Sequence, residues 1–124
     1  MNFPADLRYT SEHEWVKMDG NIATVGITDF AQGELGDIVF VEIETVGQSF
    51  AANEIFGTVE AVKTVSDLFL PIAGKILEVN AALQNAPELV NNDPYGAGWM
   101  IKMEVSNPAE VAALMDSEAY QNTI

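Results

Sequence analysis

The sequence predicts a single, mainly β domain made of two similar sheet units. Its 124 residues suit one compact domain, and several segments alternate apolar and polar side chains with the period of two that is typical of half-buried strands. A weak internal echo repeats the order glycine, strand, polar turn, glycine, strand, and Gly36 and Gly74 open its two copies 38 residues apart. Because one such unit cannot bury its apolar side alone, we expect the two units to pack face to face.

Composition and charge narrow the class of protein. Apolar residues make up 48% of the chain, and its Val, Ile and aromatic content predicts a folded core despite a net charge of −14. So negative a surface repels nucleic acid and anionic lipid and favours basic patches on other proteins. The absence of cysteine excludes disulfides and thiolate chemistry. No apolar run approaches the roughly 18 residues of a membrane span, and no targeting segment is visible, so a cytoplasmic location is expected.

The first part of the chain predicts a hairpin followed by a short helix. Apolar and polar residues alternate on both sides of Asp19 and Gly20, a pair typical of two-residue hairpin turns because both positions there need positive φ. Thr28 or Asp29 can then cap the N-terminus of a helix that ends near Gly36.

Four later segments predict strands. In GDIVFVEIE, the apolar face should consist of Val39, Val41 and Ile43. IFGTVEAV and GKILEV are further strand candidates. In GWMIKMEV, alternate residues again share one face, opposite Lys102. With this last strand, we expect the β core to extend over about residues 8–106. The residues of that last apolar face are Trp99, Ile101, Met103 and Val105.

The last segment, NPAEVAALMDSEAY, predicts a docked C-terminal helix over about 108–120. Asn107 can cap it, Pro108 suits the first helical position, and Glu110 completes a capping-box-like pattern. The whole chain, 1–124, is therefore expected to be one domain. The apolar stripe of the helix would consist of Val111, Leu114 and Met115.

The usual catalytic constellations are missing from the sequence. His13 and Glu14 begin an H-E pattern, but Lys17 stands where the metalloprotease motif H-E-x-x-H needs its second histidine. One histidine and no cysteine cannot supply a metal site of nitrogen and sulfur ligands. A Ser-His-acid triad would need His13 in a strand beside a hairpin, which the triad geometry disfavours. We therefore expect no catalysis by this chain alone and no metal site.

The segment EAVKTVSD places Lys63 at the tip of a predicted hairpin. An amine on a rigid tip can enter another enzyme's active site and be acylated once that enzyme takes its proton, since free lysine has a pKa near 10.4. Lys17 lies beside another predicted turn and is equally well placed, whereas Lys75 and Lys102 are expected to be solvated. An ordinary exposed turn lysine remains the alternative at this point.

A longer stretch, GTVEAVKTVSDLFLPIAGKILEVN, resembles the lipoyl-attachment region of glycine cleavage system H proteins, whose pattern is roughly G-x-V-E-S-V-K-x-x-S-D-x-x-x-P-x-x-G. The likeness continues through YTSEHEWV, VGITDFAQGELGDIVFVE and NNDPYGAGWMIKME and so covers nearly the whole chain. Ala61 stands where the family usually has Ser, and Phe69 and Leu70 replace the Tyr and small residue often seen there. The matching positions are Gly57, Val59, Glu60, Val62, Lys63, Ser66, Asp67, Pro71 and Gly74.

The resemblance implies a fold of the biotinyl/lipoyl type, a flattened β-barrel or sandwich with quasi-two-fold halves, short helices and a C-terminal helix. It implies a non-catalytic carrier with lipoate in amide linkage on Lys63. The aminomethyl group of glycine would pass from a pyridoxal-phosphate glycine decarboxylase (P protein) to a tetrahydrofolate-dependent aminomethyltransferase (T protein). A dihydrolipoyl dehydrogenase (L protein) would reoxidise the dithiol, and a lipoyl ligase or transferase would attach the group. The attaching enzyme would recognise a motif of Glu60, Val62, Ser66 and Asp67.

A shielding site for the loaded arm is a further hypothesis. The arm would end in a protonated amine, so carboxylates should lie near it, and Glu14 and Asp67 stand in the matching motifs. Ile27, Val62 and Val65 would cover the methylenes of the arm, at about 0.8 kcal/mol per buried CH₂.

Other carriers and other classes stay open on sequence grounds. Lipoyl domains of 2-oxoacid dehydrogenases usually carry D-K-A around the lysine, and biotin carriers usually have Met on both sides, where this chain has Val62 and Thr64. From another class, the chain would be an unmodified interaction module or a lipoate donor that relays the group to other carriers.

Overall fold

The computed structural model describes residues 2–124, which form nine strands and five short helices. The strands are β1 (Arg8–Tyr9), β2 (Glu14–Asp19), β3 (Ile22–Ile27), β4 (Ile38–Glu42), β5 (Ser49–Phe50), β6 (Ile55–Ala61), β7 (Val65–Phe69), β8 (Gly74–Val79) and β9 (Ile101–Val105). The helices are α1 (Asp29–Leu35), α2 (Ala82–Asn85), α3 (Leu89–Asn92), α4 (Ala109–Ala112) and α5 (Ser117–Gln121).

Two antiparallel sheets enclose the main core. One sheet has six strands in the order β1-β2-β3-β9-β8-β5, and the other has three in the order β4-β6-β7. Within residues 2–124, no strand of one sheet pairs with a strand of the other. The prediction of a mainly β, two-sheet fold is confirmed, and its form is a sandwich rather than a closed barrel. The core contains, among others, Val25, Ile76 and Met103 from the larger sheet and Val41, Phe56 and Val59 from the smaller one.

The internal echo corresponds to a repeated structural feature. The β4–β6 pair shifts register between Ile38 and Phe40, and the β8–β9 pair shifts register between Ile76 and Glu78, again 38 residues later. The two pairs belong to opposite sheets. The two copies therefore face each other across the core, as the echo predicts.

The same register shift corrects the predicted inner face of β4. Val41 and Ile43 are buried, but Val39 is 47% exposed, and Ile38 is buried in its place. A bulge inserts one extra residue, so the alternation of inward and outward side chains changes phase at that point. On β9, Ile101, Met103 and Val105 are buried as predicted. Trp99 precedes the strand, and its ring lies 5.1 Å from Lys102 Nζ, so the prediction that Trp99 faces away from Lys102 is wrong.

The first hairpin and the first helix lie close to their predicted positions. The β2–β3 turn falls on Gly20 and Asn21, one residue later than predicted, because Asp19 pairs with Ile22. Only Gly20 of this turn has positive φ, at +64°. Thr28 caps α1 by accepting a hydrogen bond from the Ala31 amide at 3.2 Å. The helix ends at Gly36, as predicted.

The C-terminal segment forms two short helices instead of the single helix predicted over 108–120. The N-cap of α4 is Pro108 rather than Asn107, although Asn107 Oδ1 accepts a hydrogen bond from the Ala109 amide at 3.2 Å. The chain then leaves the helix because Met115 exchanges two backbone hydrogen bonds with Tyr9, of 2.8 and 3.0 Å. Asp116 caps the second helix, α5. These tertiary bonds tie the end of the chain to β1.

Candidate functional site

Lys63 lies in a two-residue turn at the tip of the β6–β7 hairpin. The Ala61 amide donates to the Thr64 carbonyl at 2.7 Å, which closes the turn around Val62 and Lys63. The Val62 amide donates to the carbonyl of Asp37 at 3.0 Å, so the tip is also fixed to the segment before β4. The side chains of the turn are exposed, and Val62 is 75% exposed. The hairpin therefore presents Lys63 on a braced backbone.

The side chain of Lys63 passes over Gly36 at the end of α1. A Cβ atom placed on Gly36 would lie 3.3 Å from Lys63 Cε and 3.7 Å from Lys63 Nζ. Gly36 also has φ of +81°, a conformation that side-chain-bearing residues rarely adopt. The glycine thus ends the helix and leaves room for the lysine above it.

A cavity of about 180 Å³ lies between α1 and the β6–β7 hairpin that carries this lysine. The residues before β2, the last turn of α1 and strand β7 form its walls, and Leu35 at its edge directly precedes Gly36. Half of its twelve lining residues are apolar, and four are acidic. The lining residues are Glu12, His13, Glu14, Ile27, Ala31, Glu34, Leu35, Val59, Ser66, Asp67, Leu68 and Phe69.

Glu14 is the buried acid of this cavity, with 3% of its surface exposed. The Thr10 hydroxyl donates to Glu14 Oε1 at 2.6 Å. Burial raises the pKa of the Glu14 carboxyl from its ordinary 4.5 to about 7, the Thr10 hydrogen bond lowers it, the charge of Glu12 raises it, and the backbone N–H of Phe69 lowers it. A carboxyl held in this way is poorly solvated, so a cation entering the cavity would find in it a strong partner.

The structure brings together three of the five residues predicted to shield an arm. Glu14, Ile27 and Asp67 all line the cavity. Val65 does not line it, and neither does Val62; Val65 is 62% exposed on the outside of the hairpin.

Of the motif residues, Ser66 and Asp67 line the cavity, whereas Glu60 is exposed on the outer face, opposite Val65. The sequence interpretation missed much of the apolar wall. The i, i+4 spacing of Ala31 and Leu35 on the predicted helix was the available signal for part of it. The other missed apolar residues, Val59, Leu68 and Phe69, join the wall only through sheet pairing.

The outer face of the three-stranded sheet surrounds Lys63 with apolar and acidic groups. Phe40, Glu60 and Val65 lie in register across the three strands, and Phe40 is 42% exposed. Of the five Lys and Arg residues, only Lys63 belongs to this sheet or its turns. The other four lie on strands of the six-stranded sheet, at Arg8, Lys17, Lys75 and Lys102. The amine of Lys63 is therefore isolated on an acidic and apolar surface.

A larger groove of about 400 Å³ lies between β1, β2 and α4. Its charged residues, Asp6 and Arg8, are not buried, and Lys63 does not line it. The smaller cavity, which holds the buried carboxyl beside the lysine turn, is the better candidate site.

Comparison with known proteins identifies the family. The family model described as glycine cleavage H-protein matches residues 7–124. The chain belongs to the glycine cleavage H-protein family. It is 60% identical over 124 residues to the glycine cleavage system H protein of Bacteroides thetaiotaomicron, covering 100% of this chain and 98% of that one. It is 63% identical over 126 residues to that of Chlorobium luteolum, with the same coverage.

The fold agrees with this family. The crystal structure of a glycine cleavage system H protein from Mycobacterium marinum has a TM-score of 0.87 and 40% identity to this chain, and the match covers 98% of this chain and 100% of that one. Membership of the glycine cleavage H-protein family and the shared fold together support the lipoyl carrier role in the glycine cleavage system. Among the described residues, no helix is long and apolar enough to cross a membrane.

Proposed function

We propose that this chain carries lipoate in amide linkage on Lys63 and transports the aminomethyl group of glycine on that arm. The observation that carries the proposal is the position of Lys63, an isolated amine on a braced turn beside a cavity with a buried carboxyl. When bound, lipoate would supply a dithiolane that is reduced as one of its sulfurs takes up the one-carbon unit, and the dithiol left after transfer would be reoxidised. The protein itself presents and protects the arm.

Lys63 is suited to acylation because its turn is exposed and is held by two backbone hydrogen bonds. The attaching enzyme, a lipoyl ligase or transferase, would take the proton of the ammonium group, since lysine is protonated at neutral pH. Glu60 and Val62 lie on the outer side of the tip, where that enzyme can contact them, and Ser66 and Asp67 lie on the cavity side. The motif therefore has an outer part for recognition and an inner part that faces the arm.

The cavity residues fit an arm that is apolar along its length and cationic at its end. Ile27, Leu35 and Val59 supply apolar surface for methylenes, and Glu14 supplies a carboxylate for a protonated amine. Asp67 is exposed at the cavity edge and adds a second negative charge. We assign Val65 to the outer contact surface rather than to shielding, because it is mostly exposed.

The remaining chemistry belongs to partner enzymes. We expect the pyridoxal-phosphate glycine decarboxylase to load the arm, the tetrahydrofolate-dependent aminomethyltransferase to unload it and dihydrolipoyl dehydrogenase to reoxidise it, all in the cytoplasm. With a net charge of −14, the chain can be steered towards basic surfaces on each enzyme. Steering of this kind speeds encounters without prolonging complexes, which suits a carrier that visits several enzymes in turn.

A reconstituted glycine cleavage mixture tests the proposal. Lys63→Arg keeps the positive charge but removes the primary amine, so glycine-dependent release of CO₂ should be lost. Lys17→Arg is the matched control, because Lys17 is an exposed lysine on β2, and it should retain full activity. Activity of the Lys63→Arg chain equal to that of the control would contradict the proposal.

A further inference from the structure

Tyr120, on the C-terminal helix α5, is fully buried, and its hydroxyl contacts His13, which lines the cavity, and Thr28, which caps α1. Its Oη lies 2.8 Å from His13 Nδ1 and 2.8 Å from Thr28 Oγ1. Burial raises the pKa of the Tyr120 phenol above its ordinary value, so the hydroxyl keeps its proton at neutral pH. Tyr120 thus adds a side-chain tie from α5 to two segments that the backbone already joins, because the Thr28 amide donates to the His13 carbonyl at 3.0 Å and Glu14 pairs with Ile27.

The first of these segments carries His13 and Glu14. His13 lines the cavity, directly precedes Glu14 and has φ of +67°. That backbone conformation costs on the order of 1 kcal/mol or more for a residue other than glycine and persists only where surrounding contacts impose it. The His13 amide donates to the Thr10 carbonyl at 3.1 Å, and the ring packs against Phe30 with centroids 4.9 Å apart. The bond to Tyr120 is the side-chain hydrogen bond that holds the ring.

The second segment is the start of α1. Thr28 caps this helix through the same Oγ1 that contacts Tyr120. Farther along the same helix, the side chains of Ala31, Glu34 and Leu35 line the cavity. A change in the position of Thr28 would therefore move the second wall as a unit.

We propose that Tyr120 is a positioning residue, which fixes the His13 ring in the cavity wall from the C-terminal helix and so keeps water away from Glu14 and from a cargo held beside it. The part of this inference that concerns the cargo rests on the proposed function. The part that concerns Glu14 does not.

Protection matters because the aminomethyl group can be lost by hydrolysis from the sulfur of the lipoyl arm, written below as R–S. In R–S–CH₂–NH₃⁺ + H₂O → R–SH + CH₂O + NH₄⁺, the C–N and C–S bonds break, water supplies the oxygen, and no oxidant is required. Atoms and charges balance with water as the only co-reactant. The rate should therefore depend on how well the walls exclude water.

Tyr9 provides a matched control. Its ring stacks on that of Tyr120, with centroids 4.9 Å apart and planes 10° apart, and both side chains are fully buried. The Tyr9 hydroxyl donates to the Pro4 carbonyl at 2.6 Å, and Tyr9 does not line the cavity. Tyr9→Phe and Tyr120→Phe each remove one buried hydroxyl from the same aromatic stack, but only the second removes a cavity contact.

The first experiment uses the unlipoylated full chain and measures the pKa of the Glu14 carboxyl by ¹³C NMR. The parent chain and Tyr9→Phe should both titrate near 7, whereas Tyr120→Phe should titrate about one pH unit lower because water reaches the carboxyl. The other titratable groups lining the cavity are Glu12, His13, Glu34 and Asp67, and they are the same in all three chains. Equal values for Tyr120→Phe and Tyr9→Phe would overturn the proposal.

His13→Asn is the second variant, because asparagine tolerates positive φ but is too short to reach Tyr120. It should lower the pKa of Glu14 in the same direction, and it decides the question if Tyr120→Phe does not fold. An unchanged pKa in His13→Asn would then overturn the proposal.

The second experiment uses the lipoylated chain loaded from glycine and follows ammonium release in the absence of tetrahydrofolate. Tyr120→Phe should release ammonium about five-fold faster than Tyr9→Phe, a factor equivalent to about 1 kcal/mol, the typical cost of one lost hydrogen bond. Equal release rates would overturn the protective role. A chain that accepts no lipoyl group would instead refute the proposed function, and the NMR result on the unlipoylated chain would still decide the role of Tyr120.

Discussion

Replacing Glu14 with glutamine should change how the stability of the chain depends on pH. The folded state holds this carboxyl with a pKa of about 7, against an ordinary value of 4.5, and burial is the main cause. A carboxyl with a raised pKa binds its proton more tightly in the folded state than in the unfolded state. The free energy of unfolding therefore falls as pH rises from 4.5 to about 7, and the full cost is present above that range.

The magnitude follows from the two pKa values. Their difference corresponds to about 3 kcal/mol, because one pKa unit is worth about 1.4 kcal/mol. Between pH 5 and pH 8 the parent chain should lose about 2.5 kcal/mol of this amount. Glutamine cannot ionise but resembles the protonated acid in shape, so Glu14→Gln should escape the loss. Its stability relative to the parent should thus increase by about 2.5 kcal/mol over the same range.

Urea unfolding of both chains at a series of pH values measures this difference directly. Glu12→Gln is the matched control, since Glu12 lines the same cavity but is exposed, and the substitution makes the same change in net charge. The control keeps the buried Glu14 carboxyl and removes only one of the smaller causes of its raised pKa, so its stability should still fall between pH 5 and pH 8 as that of the parent does. A Glu14→Gln profile parallel to that of the parent would refute the view that the cavity holds a poorly solvated carboxyl.

Three further predictions concern glycines and charge. Gly36→Ala should lower the free energy of unfolding by about 1–3 kcal/mol because of its positive φ, whereas Gly33→Ala, inside α1 with open space around it, should raise it by about 0.5–1 kcal/mol in the same urea assay. Gly26→Ala would bring a Cβ within 2.8 Å of the buried Trp15 ring, so near-UV circular dichroism should change and stability should fall by about 1–3 kcal/mol. The rate of arm loading by the decarboxylase should fall as salt rises and the Debye length shrinks below about 10 Å, and a rate independent of salt would contradict electrostatic steering.

Local sequence signals predicted those parts of the fold that depend on local interactions. The cap at Thr28 and the helix end at Gly36 follow from side-chain and backbone preferences within a few residues. The phase change at Ile38 and the break in the C-terminal helix do not, because a β-bulge and the Met115–Tyr9 hydrogen bonds arise from pairing with distant strands.

The candidate site divides in the same way. The motif around Lys63 is contiguous, so the sequence predicts its turn and its exposure. The cavity is assembled from four separate segments, so closeness to Lys63 in the sequence does not place a residue in its lining. Val65, which was predicted to shield the arm, pairs opposite Glu60 and lies outside the cavity. The link from Tyr120 to His13 spans 107 residues and had no local signal.

Peptide mapping by mass spectrometry, after incubation of the full chain with lipoate, ATP and a lipoate-attaching enzyme, tests the central claim most directly. The account predicts one lipoyl group per chain, located by fragmentation on the peptide containing Lys63, and unmodified peptides for Lys17, Lys75 and Lys102. A lipoyl group on another lysine, or none on Lys63 under conditions that modify a known carrier, would contradict it.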